Sequence, residues 1–258
     1  VNREFKESSR QWTSLGATDP LWAVLSAPEK KGGKWNLEEF LATGDADIQR
    51  FSTLIERHSA LRRPFGDVLD FGCGVGRLSM AWSKHAKSVT GVDVASTMID
   101  RAREVLSGIP HVSVRLNTEP NLGQFPSESF DIVASHITLQ HIPPSAALTY
   151  LREFARITRP GGVVVFQIVT GRKPGDWKGH LADRLPWLAT LHHRIALGFR
   201  VYVTPEPLIR AAMEELQMVL LNAENDEFAG DVATSRTFLF AKPVGSRGNI
   251  PGVMTQGL

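Results

Sequence analysis

Between about Gly66 and Ile168 the chain alternates short apolar runs with stretches whose apolar positions recur every three to four residues. Val68-Leu69-Asp70-Phe71 precedes a helical pattern from about Val75 to His85. Ser88 to Asp93 precedes another from Ser96 to Leu106, with Met98, Ile99, Ala102 and Val105 on one face. Val112 to Leu116 and Phe130 to Ser135 read as a third and a fourth strand. Pro143-Pro144-Ser145 then opens a helix carrying Leu148, Leu151, Phe154 and Ala155, which stops before Pro160-Gly161-Gly162 and the run Val163 to Ile168. Runs that are apolar on both faces predict a parallel sheet covered by helices on both sides and joined by right-handed crossovers. Farther on, Pro205 to Leu216 predicts a helix, with Leu208, Ile209, Ala212 and Met213 on one face and proline in its first turn. Met218 to Leu221 and Thr237 to Ala241 follow as strands. The fifteen residues between them show no helical pattern, so the two are predicted to form an antiparallel hairpin.

This divides the chain into a core of residues 66–168 and 204–242, an N-terminal helical extension of residues 1–65, an insertion at 169–203 and a loose tail at 243–258. The extension carries Trp12, Trp22 and Trp35, a capping box at Asn36 to Glu39 and a helical stretch from about Asp45 to Leu61. It is the expected wall of a binding site opposite the insertion.

With 42% apolar and 22% charged residues in 258, the composition is that of a globular chain, and no run of roughly 18 apolar residues suggests a membrane span. The net charge is only +2, from 29 basic and 27 acidic side chains, which argues against a surface built to hold nucleic acid. A single cysteine, Cys73, excludes an internal disulfide and a multi-cysteine zinc site; no metal is expected, and a reducing, cytoplasmic setting is. The charged start Val1-Asn2-Arg3-Glu4 does not read as a signal peptide.

The densest chemistry lies where the first strand runs into Gly72-Cys73-Gly74-Val75-Gly76-Arg77. Glycines there let the backbone turn sharply and approach a ligand closely. A dinucleotide fingerprint would place a small residue where Arg77 stands, so the spacing disfavours a nicotinamide cofactor. Asp70, before the glycines, would repel a pyrophosphate and attract a cationic group such as a sulfonium. Asp93, 23 residues on at the end of the second strand, offers two oxygens to a ribose diol.

Asp70 to Gly76, Gly91-Val92-Asp93, Ser129 to Val133, Leu139-Gln140-His141-Ile142 and Leu151 to Arg156 with Arg159 to Gly162 together resemble the ordered motifs of class I S-adenosylmethionine-dependent methyltransferases. The resemblance implies a seven-stranded, mostly parallel, Rossmann-like sheet with an antiparallel last strand, and S-adenosylmethionine as cofactor lying across the carboxyl ends of the strands. It further implies that Asp70, Gly72, Cys73, Gly74 and Gly76 form the turn around the methionine half of the donor, with no chemical role for Cys73. Asp93 would hold the ribose, Val94 would pack beside the adenine, and Asn117 or Thr118 would meet the adenine amino group. Ser135 and His136 would flank the reactive end.

Methyl transfer to a hydroxyl needs alignment and a base near neutrality, which suits histidine. His141 and His136, just beyond the fourth strand, are the candidates; His192 and His193 in the insertion are further ones. From Gly171 to Val203 the insertion sets six basic against two acidic residues among Trp177, Leu181, Leu185, Trp187 and Leu188, a pattern of short amphipathic helices. It reads as a packing cap, as a lid favouring an acidic or amphiphilic small-molecule acceptor, or as a membrane-surface contact. Ser135-His136-Ile137-Thr138 replaces the Asn-Pro-Pro-Tyr type of tetrapeptide found in amino-methylating relatives, which turns the expectation toward small-molecule O-methylation, with N- or C-methylation left open. The rival readings are a non-catalytic donor-binding scaffold and a nicotinamide-dependent oxidoreductase. A monomer or homodimer is expected.

Overall fold

The computed structural model describes residues 2–173, 201–229 and 233–245. The chain begins with helices α1 (Asn2–Thr18), α2 (Pro20–Val24) and α3 (Leu37–His58). The core then runs β1 (Phe65–Phe71), α4 (Arg77–Ser83), β2 (Ala86–Asp93), α5 (Ser96–Val105), β3 (Val112–Leu116), β4 (Phe130–Ser135), α6 (Pro144–Ile157) and β5 (Thr158–Arg172). It closes with α7 (Glu206–Glu215), β6 (Val219–Asp226) and β7 (Ala233–Ala241).

The seven strands form one sheet in the order β3-β2-β1-β4-β5-β7-β6. All the pairings from β3 to β5 are parallel, whereas β7 lies antiparallel to both β5 and β6. The mostly parallel sheet, its single reversed strand and the terminal hairpin are therefore as the sequence predicts. Alternation along the strands sorts the core: Val164, Phe166, Phe238 and Phe240 face α6 and α7, while Val163, Val165, Leu239 and Ala241 face α3 and α4. On the first face the Phe166 ring stacks on Phe238 with centroids 5.4 Å apart.

Several elements differ from expectation; β6 and β7 run to Asp226 and from Ala233, well beyond the predicted Met218 to Leu221 and Thr237 to Ala241, because they pair with each other along that length. The first core helix starts at Arg77 rather than Val75, because Gly76 at its N-cap is left-handed (φ 91°). β5 continues past Ile168 to Arg172, since β7 supplies ladder partners as far as Ala233 and the polar residues 170–172 need only one covered side. The capping box is half made: Asn36 Oδ1 accepts from the Glu39 backbone N–H at 3.1 Å, but the Glu39 carboxylate turns to Lys30 Nζ. The helix it opens is correspondingly longer at its N-terminus than the pattern from Asp45 suggested.

The extension clamps the carboxyl edge of the sheet. In α1, Ser9 Oγ donates to Val94 O and Thr13 O accepts from Thr97 Oγ1, which fixes it on the start of α5. α3 lies against α4 closely enough that a Cβ on Gly44 would come within 2.8 Å of Arg77 O. Among the described residues no helix is long and apolar enough to cross a membrane. Most of the insertion, with His192 and His193, and the tail from 246 onward lie outside the described residues.

Candidate active site

The turn after β1 is built by backbone bonds that only glycine allows. Gly72 and Cys73 both donate to Val92 O, at 2.8 and 3.0 Å, folding the chain back over the end of β2. Gly72 has φ 77°, and a Cβ there would overlap Thr138. Gly74 has φ 53°; its N–H donates to Asp93 Oδ2 at 2.9 Å, and a Cβ would come within 2.7 Å of Val24 in α2. Asp93 Oδ1 accepts from Ala95 N at 2.9 Å, so this one carboxylate ties the glycine turn to the start of α5. Burial pushes its pKa up, and the surrounding backbone N–H groups pull it back in part.

Above this turn lies a cavity of about 510 Å³, lined by α1, α2, the glycine turn, the ends of β2 and β4, and residues before α6. Of the residues singled out in the sequence, Gly72, Cys73, Gly74, Asp93, Val94, Asn117, His136 and His141 line it. The other four are placed elsewhere. Asp70 is buried beneath the turn, accepting from Ser79 Oγ at 2.6 Å, and desolvation raises its pKa to about 6. Gly76 faces Leu106, Thr118 is exposed, and Ser135 is buried in the sheet with no hydroxyl partner among the described residues. The Cys73 thiol is buried, and desolvation next to Asp93 and Asp70 pushes its pKa well above the ordinary thiol value.

At the β3 end, Asn117 is part of a buried polar cluster. Its Nδ2 donates to Glu119 O at 3.0 Å and to the Tyr150 hydroxyl at 3.2 Å, and its Oδ1 accepts from Gln124 Nε2 at 3.2 Å. Tyr150, from α6, lines the same cavity and packs against Phe71. In the sequence it is one more apolar position on a helix, so its role there was not visible.

The two histidines sit in different surroundings. His136 is wedged between Phe51 and Phe228, at ring distances of 5.3 and 4.3 Å, and its Nε2 lies 3.6 Å from Asp47 Oδ2. Burial lowers its pKa below the ordinary imidazole value despite the nearby carboxylate, so it is neutral at pH 7. Asp47 also takes Arg77 Nη1 at 2.6 Å, and Thr43 Oγ1 accepts from the same nitrogen at 3.1 Å. Burial raises the Asp47 pKa, but His136 and Arg77 outweigh it and hold the carboxyl below its usual value. Arg77 therefore stands where a dinucleotide fold wants a small residue because α3 provides a buried partner for it. Asp47 had no motif to announce it; its position depends on how α3 docks.

His141 stacks edge-on to Trp12 of α1 at 5.1 Å, and its Nε2 lies 3.3 Å from Gln140 Nε2. Gln140 is joined in turn to Gln167 of β5, and its carbonyl accepts from Tyr202 N at 2.7 Å, anchoring the returning end of the insertion. Phe5, Leu25, Ile142, Val201 and Phe228 give the remaining cavity wall an apolar character.

Residues 69–166 match the family model described as a methyltransferase domain. The strand order and the reversed β7 are those that the resemblance to class I methyltransferases implies, so the family match and the fold agree. The nicotinamide reading gives way to them. The chain is 30% identical over 170 residues to a malonyl-[acyl-carrier protein] O-methyltransferase of Yersinia pestis, across 58% of this chain and 59% of that protein. It is 31% identical over 143 residues to a ubiquinone biosynthesis O-methyltransferase of Proteus mirabilis, across 54% and 56%. The chain thus spans less than two thirds of the length of these relatives. Its fold is similar to that of magnesium protoporphyrin IX methyltransferase from Synechocystis PCC 6803, solved with bound SAH, at a TM-score of 0.62 and 17% identity over 93% of this chain and 99% of that one.

Proposed function

We propose that this chain transfers a methyl group from S-adenosylmethionine to a hydroxyl oxygen of a small amphiphilic molecule. The observation that carries the reading is that one cavity joins the glycine turn, Asp93 and Asn117 to His136 and His141. The donor side fits the cofactor. Gly72 and Gly74 fold the backbone tightly along the cavity floor, Asp93 offers carboxylate oxygens at a strand end, and Asn117 presents a buried amide at the next strand.

When bound, the sulfonium donor supplies an already activated methyl carbon. The chain's own task is to align an acceptor oxygen with it, keep water out and take the acceptor's proton. Phe5, Trp12, Leu25, Val201 and Phe228 suit the apolar body of an acceptor. Arg77 is the one lysine or arginine among the described lining residues, and Asp47 already holds it, which favours an amphiphilic over a strongly acidic acceptor. The O-methyltransferase names of the relatives point to the same atom type.

Calorimetry with S-adenosylhomocysteine and S-adenosylmethionine tests the donor half, with binding of both expected. The acceptor half is tested by transfer of labelled methyl from the donor to a panel of hydroxylated aromatic and lipid-like compounds and to matched amines. No donor binding would defeat the whole reading, and labelling of the amines alone would defeat the oxygen assignment.

A further inference from the structure

A line of buried amides runs from the end of β4 to His141, and its direction is set at one end. Ile137 follows β4 in a left-handed conformation (φ 54°), which turns its backbone N–H onto Gln167 Oε1 at 3.2 Å. A backbone N–H can only donate, so the oxygen of Gln167 must face it and the amide nitrogen must face away. That nitrogen donates to Gln140 Oε1 at 3.2 Å. Gln140 is oriented by the same logic, with its NH2 directed at His141 Nε2, 3.3 Å away. Both glutamines are buried, Gln167 completely and Gln140 to 6% exposure, so water does not compete for these bonds.

An amide NH2 facing Nε2 requires a lone pair there. We propose that Gln167 and Gln140 are positioning residues that hold His141 neutral with its proton on Nδ1, making it a hydrogen-bond donor rather than a base. A proton at Nε2 would confront the Gln140 NH2. Turning both amides to accommodate it would leave the Ile137 N–H facing another NH2. Within the methyl-transfer reading, on which this consequence rests, the acceptor's proton then goes to His136. That ring is buried on the same cavity, has no hydrogen-bonded partner on either nitrogen among the described residues, and has Asp47 placed to stabilise the imidazolium once formed. In that step the acceptor oxygen bonds to the methyl carbon, the carbon–sulfur bond breaks with its electron pair left on sulfur, and the proton ends on His136.

The location of the His141 proton can be read without an acceptor. In the full chain labelled with 15N-histidine, two-bond 1H–15N correlation spectra distinguish a protonated from an unprotonated ring nitrogen, and the His141→Asn spectrum assigns the signal. The expected wild-type pattern is unprotonated Nε2 and protonated Nδ1, the reverse of the tautomer that the free histidine side chain prefers in water. Gln167→Met leaves the Gln140 amide beside His141 in place but removes what orients it. It is expected to shift the Nε2 resonance toward the protonated form, which a merely structural role for Gln167 would not do. Gln140→Met, which removes the donor itself, is the second variant if the first does not fold, folding being judged by methyl-region dispersion. A protonated Nε2 in the wild type overturns the proposal, as does an unchanged pattern in a folded variant; if neither variant folds, the wild-type spectrum decides. A correct tautomer in a protein that binds no donor would refute the functional reading alone, and active methyl transfer with protonated Nε2 would refute this one alone.

Discussion

Replacing Asp47 by asparagine tests the contact through which the N-terminal extension reaches the active site. Asp47 Oδ2 sits 2.6 Å from Arg77 Nη1 and 3.6 Å from His136 Nε2, and Arg77 is only 3% exposed. The variant keeps the shape and one acceptor oxygen but leaves a buried guanidinium with no ion-pair partner in contact among the described residues, and Thr43 as its further hydrogen-bond partner. Breaking a buried pair from one side costs about 3–5 kcal/mol, and the retained oxygen places this case at about 3. For a chain of this size that corresponds to a fall in Tm of about 6–12 °C by calorimetry at pH 7.5. The pH dependence has a definite sign. The folded Asp47 pKa lies below its ordinary value of 3.8, so its contribution is complete above that value and is lost as pH falls through the lower, folded one. The gap between the two proteins should therefore be present at neutral pH and narrow below 3.8. A Tm change under about 2 °C at neutral pH would refute the claim that this pair docks α3 onto α4.

Asp93→Ala should weaken S-adenosylhomocysteine binding by more than about tenfold in calorimetry, since hydrogen bonds to a charged group are worth about 1.5–3 kcal/mol, and an unchanged affinity would remove Asp93 from the donor site. Asp70→Asn should gain stability relative to wild type as pH rises. The wild-type carboxyl, with a folded pKa of about 6, holds its proton longer in the folded than in the unfolded state, so wild-type stability falls between about pH 4 and 6, by up to about 3 kcal/mol. A difference in Tm that stays constant across that window would contradict the burial of Asp70. Cys73 should resist thiol reagents in the folded protein at pH 8, because desolvation keeps it as the thiol. Rapid modification without unfolding would overturn that assignment.

Strand positions were legible because their period and both-face burial are local properties: β3 and β4 fall on the residues the pattern indicates. The glycine turn and Asp93 were legible for the same reason, being tied to strand ends by sequence. Thr118 and Asn117 could not be separated, since a one-residue slip at a strand end decides which side chain enters the cavity; the bond from Asn117 N to Asp93 O settles it. Asp70 illustrates a different limit. Its charge argued for a cationic ligand, but a strand residue alternates in facing, and this one points under the turn toward Ser79. Asp47, Tyr150 and Gln167 were invisible as site residues because each reaches the site only through tertiary docking. Gln167 in particular lies within an apolar run whose pattern says only that it is buried.

The cavity has two authors. Residues 69–166, the part that matches the family, contribute Gly72, Gly74, Asp93, Asn117 and both histidines, whereas Phe5, Trp12, Leu25, Val201 and Phe228 come from outside that segment. Shared ancestry in the first group says little about the second. Two proteins can therefore carry the same domain, use the same donor and diverge in what they modify, with the change confined to segments outside that domain. Sorting such proteins by their common domain would group them by reagent, and only the flanking segments would separate them by product.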